Sequence, residues 1–407
     1  MSKVKEYFNR NLRQYGMLLA LLAIIIFFAF ATKGTLIWPR NVSALIRQNA
    51  YVLILAIGMM LCILTGGNID LSVGALVALV GAMSGLMAAT LGLPDWLAII
   101  ISIVTGLLAG MWQGFWIAFV KVPPFITTLS GMLVFRGINN IILNGKTLGL
   151  RGVYEVIGNG SLPDVAPKTV PDFLHIGDLL ALKNKPEFLN VTTLIIGLVL
   201  SVSYVVFMFI NRKSKSVRGY EVPSLKAVVG KAFGFFIVIN IFAYWLAMDE
   251  GIPILLIIIA ALFVIYNFIT NRTIPGRHLY AMGGNIKAAQ LSGVNTQKMM
   301  FLVYANMGLL AGVAGIVYSG RAMAASPTAG VNFELDAIGA CFIGGASAYG
   351  GIGTIWGAIV GGFIMGVMNN GMSIIGWDVF TQQVSKGLVV LLAVAFDMWS
   401  KSKSRVR

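Results

Sequence analysis

Charge is scarce in this sequence: 11% of its 407 residues are Asp, Glu, Lys or Arg, against about 25% in a typical soluble domain. That deficit excludes a globular enzyme with a hydrated surface, and long apolar runs within a 58% hydrophobic chain point to a bilayer instead. Cysteine is nearly absent. Cys62 and Cys341 both fall in apolar segments, with no CxxC and no Cys/His cluster, so neither a disulfide framework nor a metal site is expected. His175 and His278 stand far apart in predicted loops on opposite faces, and neither has a catalytic partner nearby in sequence. No phosphate-binding G-x-x-x-x-G-K-[ST] occurs: Asn144-Gly145-Lys146-Thr147 looks like its tail, but Asn140 stands where the first glycine is required. No G-x-S-x-G occurs either. The chain is expected to carry no catalytic residue, to bind no cofactor and to hydrolyse no ATP by itself.

What is present reads as membrane protein. The net charge of +15 raises nucleic acid as a partner, but no basic motif sits in a soluble module, and Lys and Arg collect in the cytoplasmic loops of membrane proteins. No nucleic-acid partner is expected. The fold class is all-α and polytopic, a single membrane domain over residues 1–407. About twelve spans are predicted, near Gly16–Ile37, Ala50–Thr65, Val73–Leu91, Trp96–Phe119, Phe125–Leu143, Val191–Ile210, Val228–Met248, Ile252–Ile269, Met299–Gly320, Ala337–Tyr349, Thr354–Met372 and Gln383–Met398. Ala337–Tyr349 is too short to cross straight and reads as a broken or re-entrant helix, which is tolerated only under cover of protein or a water-filled cavity. With the N-terminus inside, nineteen of the thirty basic residues fall on the inner side; the bias predicts cytoplasmic N- and C-termini. Residues 144–190 then form a periplasmic loop and 211–231 a basic cytoplasmic loop, either a solvated linker or a segment touching anionic headgroups. The basic start with Ala29-Phe30-Ala31 fits a cleaved signal peptide or an uncleaved first span, and the apolar run through Trp38 favours the second.

Two interruptions of the apolar runs and two further segments carry the functional signal. Thr65-Gly66-Gly67-Asn68-Ile69-Asp70-Leu71-Ser72 separates two apolar runs, and Gly344–Gly353 separates two more. Asp70 reads as a helix cap or as a functional carboxylate at membrane depth. Gly357 and Gly361 make a close-packing pair, and the two breaks hint at an internal repeat. Pro123-Pro124 fix the entry to a span in which Arg136 either snorkels or lines a pathway. In the cytoplasmic loop 272–298, Gly283-Gly284-Asn285 is a turn, Asn285 a cap, and Ile286–Leu291 a short helix ending at Gly293. Small Ala288 and Ala289 would let that helix enter a partner's groove. A short exposed helix between spans has no membrane reason to exist, so docking on a cytosolic partner is the reading of Gly283, Gly284, Asn285, Ala288, Ala289, Leu291 and Gly293.

The run Gly66–Gly74, then Pro123–Leu129 with Arg136-Gly137, Gly276–Gly293, Pro327–Gly330 with Glu334–Ile338, Gly344–Gly353 and Asn369-Asn370-Gly371 together resemble the permease subunits of bacterial ABC importers for ribose, xylose, galactose and arabinose. The segment 191–269, with three predicted spans, resembles the xylose or multiple-monosaccharide branch. The resemblance implies a homodimer, a cytosolic ABC ATPase, a periplasmic sugar-binding protein, a monosaccharide substrate and the bacterial inner membrane. It implies that Gly283–Gly293 is the coupling segment and that transport proceeds by alternating access. Candidate pathway polar residues are Asn68, Asp70, Gln113, Asn139, Asn140, Asn306, Asn369 and Asn370. The rival reading is an ion-coupled secondary sugar transporter, for which Asp70, Asp336 and Asp397 are the candidate ion-site carboxylates.

Overall fold

The structure is a computed structural model that describes residues 12–164, 189–220 and 222–405. His175 and most of the proline-bearing part of the 144–190 loop lie outside the described residues. Contacts divide the chain into two units: one holds residues up to Leu36, Leu45–Asn159 and Leu255 onward, the other Ile37–Ala44 and Gly160–Ile254.

In chain order the elements are α1 (Leu12–Ala31), α2 (Pro39–Leu64), α3 (Val73–Ser84, continued by a π-helical turn Gly85–Thr90), α4 (Asp95–Ala118), α5 (Pro124–Leu143), the two-residue strand β1 (Leu148–Gly149) and α6 (Val153–Asn159). There follow α7 (Val191–Val217), α8 (Leu225–Ala247), α9 (Ile254–Arg272), α10 (Ile274–Gly284), α11 (Ile286–Leu291), α12 (Thr296–Ala322), β2 (Ala324–Ala325), α13 (Phe333–Ile343), α14 (Ile355–Ile375) and α15 (Val379–Arg405). Among the described residues nine helices are long and apolar enough to cross a membrane; apolar Gly16–Ala31 and Val379–Ala395 are shorter. With the eleven-residue α13 these account for the twelve predicted segments.

The first unit is built around α2. Nearly every side chain from Ala50 to Leu64 is fully buried, because a helix apolar on all sides has no face to give to water. Helices α3, α12 and α14 pack around it in one cluster. The seam between α4 and α12 is made by glycine: Gly106 and Gly110 lie against Gly308 and Gly312, and a Cβ at Gly106 would stand 2.7 Å from the Gly308 carbonyl oxygen. Without a hydrophobic drive between helices in lipid, such backbone approach is what holds spans together.

Both interruptions are breaks in the bundle. After α2 the chain turns through Gly66 (φ +123°) and Gly67 (φ +78°) and runs non-helically to Val73. Helix α13 is about 16 Å long at 1.5 Å per residue, half a bilayer core, and is entered through a non-helical stretch after β2, which pairs antiparallel with β1. The two Gly-rich turns touch: a Cβ at Gly67 would overlap the Ala348 carbonyl, and one at Gly350 would overlap Gly66. The chain entering α3 also meets the chain entering α13, since Gly74 and Gly330 lie so close that a Cβ on either would strike the other's carbonyl oxygen.

In the second unit α7 and α8 form an antiparallel hairpin. Asn190 caps α7, its Oδ1 accepting from the Thr193 amide at 2.8 Å; Ser201 accepts from Asn240 at 2.9 Å across the pair. Helix α7 continues through Arg212, Lys213 and Lys215 to Val217, and α8 begins at Leu225. The basic loop expected over 211–231 therefore reduces to the connection 218–224; Arg212, Lys213 and Lys215 lie at the end of α7, where Lys costs little helix propensity and a cation suits the C-terminus.

Candidate coupling and translocation sites

The expected short helix is present with its expected ends. Asn285 Oδ1 accepts from the amides of Lys287 and Ala288, both at 3.0 Å, and Gly293 closes α11 with φ +85°. The stretch before it, expected as loop and turn, is helix α10: Thr273 caps it, and Leu279 and Met282 are buried. Gly283 anchors this pair, because a Cβ there would overlap the Leu64 carbonyl and the Gly351 backbone. The structure separates the two alanines. Ala289 is buried in this chain's own core, whereas Ala288 faces outward, since adjacent helical residues point about 100° apart. The side chain left standing out is Leu291, 91% exposed. Beside α11 lies a cavity of about 510 Å³ whose lining includes Lys121, Ile286, Gln290, Asn295, Thr296 and Met300.

The pathway candidates fall into separate places. Asp70 and Gln113 join one network. Ser72 donates its amide (2.8 Å) and hydroxyl (2.7 Å) to Asp70 Oδ1, and Gln113 Nε2 donates to Ser72 Oγ at 2.7 Å. All three are fully buried. Ser72 occupies the cap position of α3 without capping it through its side chain; Asp70 instead folds back on its own break. Its Oδ2 and the Gln113 Oε1 have no protein partner. Asn68 turns back to Thr65, donating to its Oγ1 at 3.2 Å, and Asn306 accepts from the Tyr266 hydroxyl on α9.

Asn139 and Asn140 belong with Arg136. Arg136 donates to the carbonyls of Ala329 and Gly330, and Asn139 Nδ2 donates to Pro327 O at 3.2 Å. Non-helical backbone leaves carbonyls without a helical partner, and the buried ones at Ala329 and Gly330 must find partners elsewhere. Arg136 and Asn139 on α5 supply them to the stretch entering α13. Of the two readings of Arg136, snorkelling does not hold: the side chain pins a neighbouring strand of backbone.

Asn369 and Asn370 lie in a pocket of about 240 Å³ between α2, α14 and α15, together with Gln48, Asn49, Tyr51 and Lys386. Asn49 Nδ2 donates to Gly362 O at 2.7 Å. Of the expected ion-site carboxylates, Asp336 is paired to Lys386 Nζ at 3.0 Å; the side chain of Asp397 lies outside the described residues. Sequence reasoning missed Gln48, Asn49 and Lys386. The available signal was polar pairs interrupting apolar runs, Gln48-Asn49 and, one helical turn apart, Gln382 and Lys386.

The family model described as branched-chain amino acid transport system / permease component matches residues 41–161 and 176–395. The chain belongs to this permease family. It is 39% identical over 395 residues to the xylose transport system permease protein XylH of Haemophilus influenzae, covering 97% of this chain and 98% of that one. To XylH of Escherichia coli K12 it is 39% identical over 397 residues, 97% and 94% covered. The ribose import permease protein RbsC of Bacillus subtilis is 32% identical over 394 residues, 96% and 94% covered. No solved structure matches the chain. The expected kinship with sugar permeases on the xylose side therefore holds over nearly the whole permease, and the chain is a multi-pass membrane protein.

Proposed function

We propose that this permease is the membrane-spanning subunit of an ATP-driven, binding-protein-dependent importer that moves a monosaccharide across the bacterial inner membrane. Relatives named for xylose and ribose support a pentose as the substrate. Two copies form the channel with N- and C-termini in the cytoplasm, 144–190 in the periplasm and 272–298 facing the ATPase. Nucleotide hydrolysis belongs to that separate ATPase subunit, and a periplasmic sugar-binding protein delivers the substrate. The sugar passes by alternating access. The observation that carries the reading is α11: a capped, six-residue helix fastened to the core through Ala289 and Gly283, presenting Leu291 almost wholly bare. A rigidly held helix with one exposed leucine suits transmission of a partner's movement into the bundle. Its base at Gly283 abuts the place where the two Gly-rich breaks meet, so motion at α11 reaches both discontinuous segments.

Purification from membranes in mild detergent tests this. The chain with its co-purifying ATPase is expected to hydrolyse ATP, and the chain alone is not. Hydrolysis by the isolated chain, or sugar accumulation by it under an ion gradient alone, refutes the reading in favour of an enzyme or a secondary transporter.

A further inference from the structure

The pocket between α2, α14 and α15 has a lining that asks for a particular ligand. Four amide residues, Gln48, Asn49, Asn369 and Asn370, line one volume with Tyr51 and Lys386; Asn49 Nδ2 donates to Gly362 O at 2.7 Å and Asn370 Nδ2 donates to Gln48 Oε1 at 3.4 Å, which fixes the fork of that pair. A primary amide offers two donors and an acceptor in a fork, which matches the paired donor and acceptor character of neighbouring hydroxyls. The single cation is not available to an anion: Lys386 Nζ sits 3.0 Å from Asp336 Oδ1, so the charge is neutralised within the wall. The carboxylate is equally engaged, since Lys386 Nζ also donates to its Oδ2 at 3.3 Å. The Asn369 Oδ1 is buried with no protein partner, an acceptor not used by the fold. Tyr51, stacked on Phe333 with centroids 3.9 Å apart, fixes an aromatic wall. At about 240 Å³ the space falls below the roughly 300 Å³ at which drug-sized sites begin and suits a single ring.

We infer that this pocket is a subsite for a neutral, polyhydroxylated ring, occupied by the transported monosaccharide on its way through the bundle. The inference rests on the sugar-import reading and adds to it a place and a set of contacts. Amide recognition without a free charge gives weak binding, which suits a site that must release its ligand at every cycle.

Ser373 at the rim, with Gln382 donating to its hydroxyl at 3.3 Å, gives a probe that does not depend on transport. The two native cysteines are fully buried, so Ser373→Cys supplies the accessible thiol. In the assembled complex in proteoliposomes, its modification by a small polar methanethiosulfonate is measured with and without D-xylose or D-ribose. A sugar at ten times its dissociation constant is expected to slow labelling about tenfold. Gln48→Met, at an exposed position, is expected to raise the concentration needed for half-protection about fivefold, the worth of one neutral hydrogen bond. Protection by a sugar acid but not by the sugar overturns the neutral-ring assignment. Transport of a pentose by the unmodified complex, with the Ser373→Cys thiol labelled at the same rate throughout, overturns the subsite alone. An unmodified complex that transports neither pentose overturns the import reading and the subsite with it.

Discussion

Truncating Leu291 to alanine separates a docking helix from an idle one. The side chain is 91% exposed, so its removal takes almost nothing from the folded permease, and the isolated chain should keep its thermal stability to within about 0.5 kcal/mol. In the complex the same side chain is expected to be buried in the ATPase. Leucine to alanine deletes about three carbons' worth of apolar surface, and at about 0.8 kcal/mol per buried methylene the loss is roughly 2 kcal/mol. That weakens ATPase binding about thirtyfold, since each 1.4 kcal/mol is about a factor of ten. The assay is a titration of the purified ATPase subunit onto the permease in nanodiscs, with a melting curve of each permease alone. Ala288→Glu, on the outward face of the same helix, should weaken association further, because a charge buried without a partner costs several kcal/mol. Unchanged affinity for both variants refutes α11 as the docking element. Lost affinity accompanied by a lowered melting temperature of the permease alone refutes the claim that Leu291 acts outside the fold.

Further expectations follow from other contacts. Arg136→Met leaves the carbonyls of Ala329 and Gly330 without a side-chain partner and should destabilise the detergent-solubilised permease by about 2–4 kcal/mol, read as a lower melting temperature, with Arg136→Lys recovering part of the loss. Gly308→Ala places a methyl 2.6 Å from Gly110 Cα and should cost about 1–3 kcal/mol; Gly137→Ala, with nothing within 4 Å of the added carbon, should be neutral in the same melting experiment. Ser216→Cys at the tip of α7 should react with an impermeant maleimide only from the cytoplasmic side and Lys146→Cys only from the periplasmic side; reaction of Ser216→Cys from outside reverses the proposed orientation.

The sequence carried local information faithfully. The ends of α11 were legible because a cap residue and a glycine mark them directly, and the two breaks were legible as Gly-rich interruptions of apolar runs. That the two breaks touch was not, because Gly66 and Gly350 are joined by no local pattern. Arg136 illustrates the same limit: the apolar run shows that its charge needs an answer, but the answering carbonyls at Ala329 and Gly330 lie far along the chain. The α4–α12 seam was readable in part, as paired glycines four apart in each helix, although nothing in either helix names the other. Ala288 and Ala289 do not act as a unit, because helical rotation alone places Ala289 in the core and Ala288 outside. The Asn369-Asn370 pair is legible as a polar interruption, but the pocket around it is not, because three helices far apart in sequence contribute its lining.

ATP-driven import is tested most directly by uptake of radiolabelled D-xylose and D-ribose into proteoliposomes holding the permease with its co-purifying ATPase inside, and its sugar-binding protein with sugar outside. Accumulation of one of these sugars is expected to require ATP in the lumen and to disappear when either partner is left out. Accumulation by the permease alone on a sodium or proton gradient, with no response to ATP, would contradict ATP-driven import.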